Sequence, residues 1–126
     1  MDKFTFFDLR VYQESKQLVK DVYSLLEKFP KFEVYALGDQ LRRAVISVPS
    51  NIAEGSVRSS LKEKMHFLEI AYGSLTETLC QLDIAHDLGY ISDSEFSVEK
   101  DRISIIGKQL SGLRASFQKQ LEPANR

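Results

Sequence analysis

"SVPSNIAEGSVRSS", residues 47–60, decides the fold. Proline, asparagine, glycine and repeated serine make the composition of a loop, and such a loop between two apolar runs is where an active site or phosphate cradle is sought. The alternative is that the apolar period of the preceding segment runs through the proline. In "EVYALGDQLRRAVISVPSNIAEG", residues 33–55, Leu37, Leu41, Ala44, Val45, Val48 and Ile52 fall on one stripe at roughly 100° per residue. The stripe crosses Pro49 in phase. Pro49 therefore belongs inside a helix, where it offers no N–H to the Val45 carbonyl and its ring crowds that turn, so a kinked helix is expected. Gly55 is placed as its left-handed stop, leaving a loop only from Gly55 to about Ser59.

Working outward, "DLRVYQESKQLVKDVYSLLEKF" carries two adjacent helical stripes: Leu9, Tyr12, Val19, Tyr23 and Leu26 beside Val11, Leu18, Val22, Leu25 and Phe29. Phe29-Pro30 closes that helix, because the residue before proline is pushed away from α geometry. Downstream, Ser60-Leu61-Lys62-Glu63 and Ser92-Asp93-Ser94-Glu95 read as capping boxes that open two further helices. Leu61, Met65, Leu68, Tyr72, Leu75, Leu79 and Leu82 form a heptad seam on the third; Ile103, Ile106, Leu110, Leu113, Phe117 and Leu121 do so on the fourth. No segment alternates like a strand. The expected fold is all-α, an up-down-up-down antiparallel four-helix bundle in one domain, with helices at about 8–29, 33–54, 61–88 and 93–121.

The chain has 126 residues, 43% hydrophobic and 28% charged, as in a globular domain. Its single cysteine, Cys80, excludes an internal disulfide and is expected as a buried thiol in a reducing compartment. No apolar run approaches the roughly 20 residues of a membrane span, and "MDKFTFFDLR" has acids where a signal peptide has its apolar centre, so a cytoplasmic protein without membrane contact is expected.

Net charge is −1, but it is sorted along the chain. Residues 67–99 hold Glu69, Glu77, Asp83, Asp87, Asp93, Glu95 and Glu99 and no lysine or arginine. The bundle topology places most of these acids at one end. Arg58, Lys62, Lys64, Arg114 and Lys119 gather at the other as a candidate nucleic-acid surface.

Catalytic and metal chemistry find little support. Glu63-x-x-His66 and Asp83-x-x-His86 match the spacing of di-iron bundles, but both lie on one helix about 30 Å apart and cannot face each other. No metal or other cofactor is expected. A phosphate loop would need a strand before it and a Gly-Lys-Ser/Thr close. Ser47, Ser50 and Cys80 lack a histidine in helical phase, so no enzyme is expected. On the second helix Arg43, Ser47, Ser50 and Glu54 make a polar stripe, which a solvated face accounts for. Tyr35, Ile46 and Ala53 beside it, with Phe67, Ile70 and Ile84 on the third helix, exceed what a four-helix core requires and are the candidate oligomer interface.

Gln40-Leu41-Arg42-Arg43-Ala44, Pro49-Ser50-Asn51-Ile52-Ala53-Glu54-Gly55 and Ala71-Tyr72-Gly73-Ser74-Leu75 carry a resemblance, running from about Phe7 to Leu113. The chain resembles the four-helix-bundle proteins encoded in the intervening sequences of bacterial large-subunit rRNA genes. It is also similar to the basic accessory proteins of diversity-generating retroelements, from which it departs in overall charge. The resemblance implies a homopentamer without catalytic activity that binds RNA or DNA. The alternative is an adaptor whose partner is another protein.

Overall fold

The computed structural model describes residues 4–123. They form α1 (Arg10–Leu26), α2 (Leu37–Ser56), α3 (Leu61–Asp87) and α4 (Asp93–Leu121), with 3-10 turns at Thr5–Asp8 and Lys31–Glu33. Each helix packs on its neighbours in sequence and α1 closes on α4, while the diagonal pairs do not meet. This is the antiparallel up-down-up-down bundle.

α1 is shorter at both ends than the expected 8–29. Leu9 is extended (φ −70°, ψ 128°) and separates the first 3-10 turn from the helix. At the other end the Lys28 and Phe29 amides donate to Leu25 and Leu26 carbonyls, at 3.0 and 3.1 Å, so the chain tightens before Pro30 instead of running up to it. α2 starts at Leu37, not Glu33. The chain leaving Pro30 winds a 3-10 turn and breaks at Ala36 (φ −121°, ψ −108°).

α2 is continuous through Pro49 and ends at Ser56. Gly55 is not its left-handed stop. It is a buried helical residue lying against α3, and the glycine with positive φ is Gly89 (81°), in the turn after α3. The Ser92–Glu95 capping box is complete. At Ser60 only half forms: the hydroxyl accepts from the Glu63 amide at 3.2 Å.

Leu18 and Val22 of α1, Leu41, Val45, Val48 and Ile52 of α2, Leu75 and Leu82 of α3, and Ile106 and Leu110 of α4 are the centre of the core. On α1 the second of the two expected stripes is the buried one, with Ser15 completing it between Val11 and Leu18. On α3 the buried seam is Leu68, Ala71, Leu75, Thr78, Leu82 and Ala85. Tyr72, expected in the core, is exposed. Ala71, Thr78 and Ala85 are small, and a seam read from large apolar residues passes over them.

Candidate nucleic-acid and assembly surfaces

The bundle brings the C-terminus of α2, the N-terminus of α3 and the C-terminal part of α4 to one end. The five basic residues meet there in different states. Arg58 pairs with Glu54 one turn back and lies 5.0 Å over the Phe67 ring. Lys64 donates to the Ser56 carbonyl at 3.1 Å, serving the last turn of α2, and lies 5.9 Å over Phe117. Arg114 crosses from α4 to Glu69 on α3 at 2.7 Å. Lys62 and Lys119 are exposed and make no ion pair among the described residues.

At the opposite end the acids diverge as well. Glu95 holds the Lys28 ammonium and the Ser92 amide, which keep its carboxyl below the usual carboxylate range. Glu99 lies a turn further along and is buried against α1. Desolvation, then the neighbouring Asp21 carboxylate, push its pKa up to about 8. It adds no exposed charge to that end. Asp83, His86 and Asp87 converge within 4.8 Å. The His86 Nε2 is taken by Asp93 at 2.6 Å and its ring stacks 5.1 Å from Phe96, so these contacts hold the turn between α3 and α4.

The polar stripe of α2 splits. Ser47 turns to α3: its hydroxyl accepts from Ser74 Oγ at 2.8 Å and from Asn51 Nδ2 at 2.9 Å. Arg43 pairs with Asp39 and Glu54 with Arg58. Ser50 faces a groove between α1 and α2, together with Ile46, Pro49, Ala53 and, from α1, Tyr12, Lys16, Val19 and Lys20.

The candidate interface residues do not form one patch. Ile46 and Ala53 belong to the α1/α2 groove. Phe67 is drawn inward under Arg58 and against Gly55. Ile70 and Ile84 are exposed on α3. Tyr35, 92% exposed, stands with Phe32 on the α1–α2 connection, at the acidic end. Cys80 is exposed, not buried, because it lies on the side of α3 turned away from Leu75 and Leu82. Two features escaped the sequence reading: the lysine pair on the groove rim, and a second heptad on the outer side of α3 at positions 70, 73, 77, 80 and 84. The 3-4-3-4 spacing was the available signal for the second.

Among the described residues no helix is long and apolar enough to cross a membrane. Fold and surface thus define an all-α bundle that presents charged ends and apolar flanks. The family model of the 23S rRNA-intervening sequence protein matches residues 7–112, and the chain belongs to that family. A crystal structure of a protein of unknown function from the S23 ribosomal protein family, from Bacteroides thetaiotaomicron, has the same fold: TM-score 0.76 at 20% identity over 82% of this chain and 97% of that one. No curated protein matches the chain.

Proposed function

We propose that the protein is a non-catalytic, self-associating bundle, a ring of five copies, that holds a nucleic acid or ribonucleoprotein on its basic end. The observation that carries this reading is the pair Lys62 and Lys119, two exposed ammonium groups without a carboxylate partner among the described residues, where Arg58, Lys64 and Arg114 also gather. A cyclic assembly points the same end of every protomer the same way, so a small patch is repeated on one face. Such binding rests on displaced counterions and weakens steeply with salt.

Filter retention of RNA and DNA at low salt tests the reading, with Lys62→Glu/Lys119→Glu as the variant. Lys64 is unsuitable because it serves the end of α2. Retention by the parent that is lost in the variant and in high salt is the expected result; equal retention by both, or none by either, removes the nucleic-acid role. The second reading, a protein adaptor, is favoured by Phe32 and Tyr35, 75% and 92% exposed at the acidic end. Aromatic anchors of this kind suit a protein partner.

A further inference from the structure

α3 is apolar on two opposite sides. Its inner seam fills the core, and its outer side repeats the heptad with Ile70, Gly73, Glu77, Cys80 and Ile84, all exposed. A helix built this way calls for a second partner helix or groove. Gly73 supports the point: a Cβ there would meet nothing within 4 Å, so no contact in the protomer accounts for a glycine that weakens the middle of a long helix. Across the molecule, the α1/α2 groove offers Tyr12, Val19, Ile46, Pro49 and Ala53, with Lys16 and Lys20 on its rim. The outer seam of α3 contains the exposed Glu77 and is flanked by the exposed Asp83, in a stretch of sequence without a single lysine or arginine, while Glu69 beside it is held by Arg114. The two surfaces are complementary in charge, acidic on α3 and basic on the groove rim.

We infer that the outer seam of α3 in one copy seats in the α1/α2 groove of the next, with Gly73 at the closest approach and the acids of α3 facing Lys16 and Lys20. The inference rests on the self-association proposed above and specifies its geometry. Because the two surfaces differ, the contact is head-to-tail, which excludes a two-fold dimer and builds a ring when its rotation closes.

Cys80, the only cysteine, makes the test simple. Ser50→Cys puts a second thiol in the groove. Under mild oxidation this variant should give covalent species beyond the dimer on a non-reducing gel, while the parent stays single-chained. Gly73→Gln, which the protomer has room for, should keep its helical circular dichroism and unfold no earlier, yet run as a monomer in light scattering. Parent dimers linked through Cys80 would mean that α3 faces α3, and would overturn the inference. So would an intact oligomer of Ser50→Cys that does not cross-link, or a Gly73→Gln variant that still assembles; in each case self-association itself stands. A parent of 14.4 kDa in solution removes both.

Discussion

Gly55 of α2 lies so close to Phe67 of α3 that a Cβ at position 55 would stand 2.8 Å from the Phe67 Cβ. Neither atom is the free end of a flexible side chain, so the two helices would have to move apart. Gly55→Ala gains up to about 1 kcal/mol of helix propensity and loses about 1–3 kcal/mol to overpacking. A net loss of roughly 1–2 kcal/mol is expected in urea unfolding. Gly112→Ala, where a Cβ meets nothing within 4 Å, is the control and should be stabilising. Equal effects at the two positions would contradict the close approach.

Glu99 gives a pH dependence. Asp21 of α1 faces it, Arg102 bridges Asp21 and Glu14 at 3.2 and 2.9 Å, and the Glu99 Oε1 has no hydrogen-bond partner among the described residues. Its folded pKa of about 8 lies above the ordinary 4.5. Between those values the folded chain keeps a proton that the unfolded chain releases, so this contribution is complete below about 4.5 and is lost as pH rises through about 8. Glu99→Gln should match the parent near pH 4.5 and exceed it in thermal midpoint at pH 8. A constant difference across the range would show that the carboxyl is ionised in the fold.

Most of the bundle was legible because helix periodicity and caps are local. The apolar phase through Pro49 and the Ser92 box needed only neighbours in sequence. What escaped depends on partners distant in the chain. Gly55 reads as a helix stop in sequence but packs against Phe67, and the small Ala71 and Thr78 take buried positions while Tyr72 is exposed. The same holds for the charges: Arg114 is spent on Glu69, 45 positions away, and Glu99 is buried under Asp21, so a sum over segments overstated both ends.

Tyr90 joins the two connections at the acidic end. Its hydroxyl donates to the Glu33 Oε2 at 2.7 Å, and the other Glu33 oxygen accepts the Leu37 amide at 3.3 Å. That hydrogen bond, followed by partial desolvation and the negative charge of Glu33, raises the tyrosine above its usual value. Glu33→Gln should bring one tyrosine ionisation down toward 10 in an ultraviolet titration. It should also fray the start of α2 in amide exchange. An unchanged titration would place Tyr90 in solvent.

Pro49 carries the last prediction. Inside α2 it leaves the Val45 carbonyl without its usual donor, and its ring crowds the preceding turn, so we propose that the helix axis bends there. Proline in a helix interior costs about 3 kcal/mol relative to alanine. The buried Pro49 ring also packs on the α1 side, and removing it forfeits about 1–2 kcal/mol of apolar burial. The helix term is the larger, so Pro49→Ala should raise the thermal midpoint by several degrees, with helical content unchanged and α2 straighter in a crystal structure. A lower midpoint would show that the ring's packing outweighs the missing hydrogen bond. Straightening also shifts Ile46 relative to Ala53 on the groove wall, so the stabilised variant should assemble more weakly than the parent in light scattering.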